Sequence, residues 1–222
     1  MPIAEDEIPA PRYREIHYCP RCGVAYRPQD FYPVEHLFLC PGCDFDFYQN
    51  PLPSAVVVLK HPDRADDVLL LKRSTAPGIG HWCLPGGFIR YGEAPAAAAA
   101  REAREEAGVE VQIGPVLSVG LLDYLYRGRH LCILEVAYLA HLSGPLPAAG
   151  LVTQEASEVV FRPVAEVLGT PETLAFPEQM TVLRDYQTLL ALQPGAKNGQ
   201  SPPPCAPESW GAQLVTGRPK VE

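Results

Sequence analysis

Three glutamates stand at 102, 105 and 106 in the run Arg101-Glu-Ala-Arg-Glu-Glu106. On a helix, positions i, i+3 and i+4 share one face, so the three carboxylates project together. Such a cluster repels itself unless a cation neutralises it, and hard divalent ions such as Mg²⁺ take oxygen ligands. A second constellation is made of sulfur. Cys19-Pro-Arg-Cys22 and Cys40-Pro-Gly-Cys43 are two C-x2-C pairs separated by 17 residues. That spacing suits one tetrahedral zinc held by four thiolates, a closed structural site with no open position for catalysis. Cys83, Cys132 and Cys205 have no partner at ligand spacing.

The carboxylates need a helix to carry them, and the residues before them supply one. Ala94–Ala107 is alanine-rich, has Pro95 in its first turn and is followed by Gly108, the pattern of a helix start and stop. Ahead of it lies a glycine-rich loop, Gly78–Gly87, then Glu93, which can point into the same site. Gly86-Gly87 permits close backbone approach, and a carbonyl of Gly86 is a candidate metal ligand. Arg101 projects about 100° from Glu102 and is expected to brace the site by an ion pair with another glutamate.

Taken together, the segment reads Gly87-x5-Glu93-x7-Arg101-Glu102-Ala103-x-Glu105-Glu106-x-Gly108-Val109. This resembles the Nudix box at every fixed position. Trp82-Cys-Leu-Pro-Gly-Gly87 is similar to the run that leads into the box in many members. The resemblance implies an α/β/α sandwich with a mixed sheet, here preceded by a small zinc ribbon. It implies hydrolysis of a phosphoanhydride in a nucleoside diphosphate linked to another group. Glu102, Glu105 and Glu106 would then hold Mg²⁺ or Mn²⁺, with Glu105 or Glu106 activating water. A further glutamate follows the central strands in some Nudix families; Glu155 and Glu158 are the candidates, and Glu135 ranks below them because it falls mid-strand.

An N-terminal four-cysteine ribbon occurs in NADH pyrophosphatases, which also carry an S-Q-P-W-P-F-P-type segment after the box. Residues 115–130 read PVLSVGLLDYLYRGRH instead. A second group combines the ribbon with Tyr-x-Asn-Pro and a late Leu-Ala-Phe; it resembles plastid FAD pyrophosphatases and bacterial relatives. Tyr48-Gln-Asn-Pro51 and Leu174-Ala-Phe176 fit that pattern. FAD or ADP-ribose is therefore the expected substrate, with NADH as the alternative and a nucleotide-sensing module without catalysis as another. Phe176 and Tyr124 are candidates to stack on a substrate ring.

Around these motifs the chain divides into an arm (1–16), the ribbon (17–50), the main domain (51–193) and a Pro-rich tail (194–222) expected to be disordered. Tyr48–Pro53 reads as a link between ribbon and main domain. Strands are expected at 54–60, 68–73, 116–126, 131–142 and 158–162, and a second helix at 177–192. The 222 residues carry a net charge of −8, and the first 50 hold four arginines against eight carboxylates. Such acidity disfavours a nucleic-acid surface. No apolar run is long enough for a membrane span, and the first residues have no secretory or transit pattern. The expectation is a cytoplasmic enzyme acting on a small nucleotide, for which a homodimer is compatible with the sequence.

Overall fold

The computed structural model describes residues 16–126, 128–146 and 152–192; most of the N-terminal arm and the Pro-rich tail lie outside them. The chain divides into two compact units at Pro51/Leu52.

The first unit is a three-stranded antiparallel sheet, β1 (Phe31–Tyr32), β2 (Leu37–Leu39) and β3 (Asp46–Tyr48), with β2 in the middle. Its core is one ring. Phe38 is buried and has Phe31 at 4.6 Å, Tyr26 at 5.0 Å and Phe47 at 6.1 Å between centroids. So small a core cannot hold a fold of this size alone, and the four cysteines sit at its turns.

In the second unit, β4 (Leu52–Leu59), β7 (Gly86–Phe88), β8 (Val111–Tyr126) and β9 (Arg129–Leu142) form a mixed sheet in the order β7-β4-β9-β8. Only β4 and β9 run parallel. β5 (Asp67–Arg73), β6 (Trp82–Cys83) and β10 (Ala156–Pro163) form an antiparallel sheet in the order β10-β5-β6. The helices are α1 (Pro95–Ala107), α2 (Val164–Gly169) and α3 (Gln179–Leu192).

β4 and β5 are apolar on both faces, as strands covered on two sides must be. Ala55, Val57, Leu59, Leu69 and Leu71 pack on α1 through Ala98, Ala99, Ala103 and Ala107. The alternate residues Val56, Val58, Val68 and Leu70 pack with Val164 and Val167 of α2 and Met180, Leu183 and Tyr186 of α3. This is the expected α/β/α sandwich with a mixed sheet.

Several boundaries differ from the sequence reading. The glycine-rich loop contains two short strands, β6 and β7, because Leu71↔Cys83 and Ala55↔Gly87 pair across it. β8 starts at Val111, ahead of Pro115, with register shifts between Ile113 and Ser118 that absorb the proline. β4 starts at Leu52, so Pro53 belongs to the strand's first residues, where proline is tolerated. α2 is an additional helix. α3 begins at Gln179, because Pro177 and Glu178 form a turn in which the Gln179 N–H donates to Phe176 O. α1 ends as expected: Gly108 has φ 64°, and its N–H donates to Arg104 O at 3.0 Å.

Candidate active site

α1 carries the box on a helix that sits close to the sheet, since the face it buries is alanine. Glu106, one residue from buried Ala107, is itself buried. Its Oε2 accepts the Gly86 N–H at 2.8 Å. Burial pushes its carboxyl up to about 8, with the charges of Glu102 and Glu155 adding to the effect. Glu102 is also raised by burial, against the pull of Arg101. Gly87 leaves room for Glu102: a Cβ at this position would lie 2.7 Å from Glu102 Oε1 and push the carboxylate aside.

Arg101 is the hub of the box and is buried. Its Nε and Nη2 donate to Glu93 Oε1 and Oε2 at 2.8 and 2.9 Å. Nη1 donates to Glu102 at 2.6 Å and to Glu105 at 3.1 Å, and Nη2 also reaches Phe88 O at 3.1 Å. The expected brace to another glutamate is Glu93, whose carboxyl is drawn down to about 2 by Arg101 and by the Arg90 N–H. Glu102 itself joins the network despite the angle between adjacent helical positions, because a long guanidinium spans it.

Glu102, Glu105 and Glu106 open onto a cleft of about 420 Å³. Glu155, Arg73 and Arg90 line the same cleft, with Arg90 Nη2 3.4 Å from the Glu105 carboxylate, and Tyr124, Phe176 and Phe88 line it as well. The Tyr124 ring lies 5.6 Å from Phe176 and 6.1 Å from Phe88. Phe176 is held there because the Ala175 N–H donates to Trp82 O at 2.8 Å. Converging carboxylates, two of them with raised pKa values, form a donor set suited to a hard dication. Arginines in the same lining suit phosphate oxygens.

Residues 51–186 match the family model described as NUDIX domain. The chain belongs to the NUDIX family of hydrolases. A NUDIX hydrolase from Nitrosomonas europaea has 27% identity and a TM-score of 0.61, covering 80% of this chain and 94% of that one. A Pseudomonas aeruginosa protein named NAD-capped RNA hydrolase NudC is 34% identical over 99 residues, 44% of this chain and 33% of that protein. Its namesake in Escherichia coli K12 is 33% identical over 100 residues, 45% of this chain and 36% of that protein. The matched segment thus spans about a third of the length of those curated relatives.

Within the NUDIX unit the cleft gathers most, though not all, of the expected side chains. Glu155 lines it, whereas Glu158 does not; its carboxylate is 3.9 Å from Lys72 Nζ on the neighbouring strand. Glu93 acts on the box through Arg101 rather than lining the cleft. Gly86 contributes its N–H to Glu106. Arg73 and Glu135 also line the cleft. A basic residue closing β5 just before a glycine-rich loop was the available signal for Arg73. Glu135 belongs to β9, and a mid-strand position does face the cleft where that strand leaves the core.

The cysteines of the first unit come together as their spacing predicts. Their four sulfurs lie within 4.8 Å of one another, the only such cluster of candidate metal ligands among the described residues. Cys19–Cys43, Cys22–Cys40 and Cys40–Cys43 are 3.7, 3.5 and 3.6 Å apart. Four sulfurs about 2.3 Å from a tetrahedral zinc would be roughly 3.8 Å apart, whereas a disulfide would be about 2.05 Å. The Arg21 and Gly42 N–H groups donate to the Cys19 and Cys40 sulfurs at 3.4 and 3.3 Å. Burial opposes ionisation of Cys19, but amide hydrogen bonds bring it down to about 6, while burial pushes Cys43 up to about 12. Four sulfurs gathered this closely fit a dication.

Proposed function

We propose that the Leu52–Leu192 unit hydrolyses the diphosphate of a nucleoside diphosphate-linked compound, giving AMP and a phosphorylated product. One observation carries this reading: Glu102, Glu105, Glu106 and Glu155 line a single cleft together with Arg73 and Arg90. Glu102, Glu105, Glu106 and the Gly86 carbonyl would hold Mg²⁺ or Mn²⁺. When bound, that ion neutralises phosphate charge and lowers the pKa of a bound water.

The chain's own groups do the rest. Arg73 and Arg90 orient phosphate oxygens. Arg101 keeps Glu102 and Glu105 in one orientation, so little reorganisation is needed during the reaction. Water's oxygen bonds to one phosphorus as the bridging oxygen leaves with the other phosphate, and the water proton passes to Glu105 or Glu106. Tyr124 and Phe176 flank a planar ring of the substrate. Glu155 is a further carboxylate for the reacting centre.

FAD or ADP-ribose is the favoured substrate, on the ribbon, Tyr48–Pro51 and Leu174–Phe176. The relatives named NAD-capped RNA hydrolase favour a second reading, an NAD-type dinucleotide. The four-cysteine unit is proposed to hold one structural Zn²⁺, and the enzyme is proposed to be cytoplasmic. Among the described residues no helix is long and apolar enough to cross a membrane.

The test is a hydrolysis panel with Mg²⁺: FAD, ADP-ribose, NADH, diadenosine polyphosphates and nucleoside triphosphates. AMP from one substrate, lost in a Glu105→Gln/Glu106→Gln double variant, supports the reading and names the substrate. Binding without cleavage of any compound would replace catalysis by nucleotide sensing.

A further inference from the structure

The face of the mixed sheet that packs on α2 and α3 changes character at one step. Along β4 it presents Val58, Val56 and then Ser54; along β9, Leu139, Ala137 and then Glu135. β4 and β9 pair in parallel with Ser54 opposite Glu135, so the two polar side chains are neighbours. α3 begins at the same level with Gln179. All three are buried and all three line the cleft.

Their hydrogen bonds are incomplete. Gln179 Oε1 accepts the Leu84 N–H at 3.0 Å, which fixes the amide's orientation and leaves its NH₂ as the group that acts on the Glu135 carboxyl. A carboxylate offers several lone pairs, so Glu135 has acceptor capacity to give a ligand. Ser54 Oγ has no hydrogen-bond partner among the described residues. A buried hydroxyl without a partner costs stability, and the residue that carries it lines the cleft. Apolar and aromatic residues line the same cleft: Leu84, Leu122, Ile133 and the Tyr124 and Phe176 rings.

We propose that Ser54 and Glu135, oriented by Gln179, form a specificity subsite that takes the N–H-bearing edge of a planar heterocycle. Glu135 accepts from the N–H, Ser54 donates to the adjacent ring nitrogen or carbonyl, and the aromatic wall lies against the ring. The amino edge of adenine and the imide edge of a flavin present this same chemistry. The assignment rests on the cleft being the substrate site, as proposed above.

Glu135→Gln is a sharp probe. The Gln179 NH₂ would claim the new amide's oxygen, so the variant would turn an NH₂ toward the ligand's N–H, reversing the match with hardly any change in shape. Ser54→Ala removes only the hydroxyl. Calorimetry with Mg²⁺ would compare wild type and both variants against four probes. These are ADP, purine riboside 5′-diphosphate (ADP without its amino group), FMN and ribose 5-phosphate, with thermal melts to confirm folding.

The expected result is that ADP or FMN binds wild type at least about tenfold tighter than ribose 5-phosphate. Glu135→Gln should weaken that probe roughly tenfold or more, Ser54→Ala by less, and ribose 5-phosphate by nothing. Loss confined to ADP, with purine riboside diphosphate weak and indifferent to the variants, assigns the adenine edge; loss confined to FMN assigns the imide edge. Unchanged binding of every probe, equal weakening of ribose 5-phosphate, or no preference of wild type for a base-bearing probe overturns the proposal. A Glu135→Gln enzyme with lower kcat and unaltered KM would also overturn it, moving Glu135 into the chemistry. The expected pattern of binding in a chain that cleaves nothing would sink the pyrophosphatase reading and leave this subsite standing.

Discussion

Arg101 grips Glu93 with two parallel hydrogen bonds, at 2.8 and 2.9 Å, while its remaining nitrogen holds Glu102 at 2.6 Å. Lysine keeps the charge but has no fork. Arg101→Lys should therefore cost about 3 kcal/mol, since a single ammonium leaves several of the buried carboxylate acceptors unpaired. That is a fall in Tm of roughly 6–12 °C for a unit of this size. Hydrolysis should drop about a hundredfold through misplaced Glu102 and Glu105. Calorimetric melts and steady-state rates check both; a variant with wild-type Tm would remove Arg101 from the role of hub.

Glu106 and Glu135 predict an inverted pH dependence. Their folded-state pKa values, about 8 and about 7, lie above the unfolded value of about 4.3. Between those limits the folded chain binds more protons than the unfolded one, so stability must fall as pH rises. In Mg²⁺-free buffer, with zinc retained, Tm should decline by several degrees from pH 5 to pH 8.5. Glu106→Gln should flatten the slope, and saturating Mg²⁺ should reduce it. A Tm that climbs over this range would contradict the buried placement of both carboxyls.

Adjacent glycines should respond differently to alanine. A Cβ at Gly86 would meet Ala55 O at 2.5 Å and Val56 Cα at 2.6 Å, both backbone, so Gly86→Ala should destabilise the sheet by more than about 2 kcal/mol. At Gly87 the obstacle is the Glu102 carboxylate. Gly87→Ala should cost under about 1 kcal/mol yet lower hydrolysis at least about tenfold by displacing a metal ligand. Equal effects on stability and rate in the two variants would contradict this division.

Elemental analysis of protein purified without added zinc should find about one ion per chain. The four ribbon thiols should resist modification until a chelator is added, and Cys40→Ser should lose the metal together with the ordered environment of Phe38. Freely reactive thiols in the metal-free, folded chain would exclude the site.

The box was legible because its chemistry demands fixed types at fixed spacing along one helix and the loop before it. The cysteine pairs were legible for the same reason. Arg73, Ser54 and Gln179 were not, and Glu135 was a candidate ranked low for its mid-strand position, since these residues meet only through the tertiary fold: Ser54 finds Glu135 because β4 and β9 run parallel, and nothing local in either segment says so. Glu155 and Glu158 looked equivalent as carboxylates. Glu155 precedes the first residue of β10 and reaches the cleft, while Glu158 lies within the strand and faces Lys72. Strand limits failed where Pro53 and Pro115 read as breaks but sit at a strand start and among register shifts.

The alanines that α1 turns toward the sheet have a consequence for how the protein can change. Ala98, Ala99, Ala103 and Ala107 are fully enclosed and have no rotamers to adjust. A larger residue at any of them would have to lift the whole helix, and the carboxylates with it. In a saturation library scored for activity, these four should be among the least tolerant positions of the chain, while exposed Ala97, in the same run of five, should accept most residues. A stretch that looks like filler would then carry as strict a sequence requirement as the glutamates it positions.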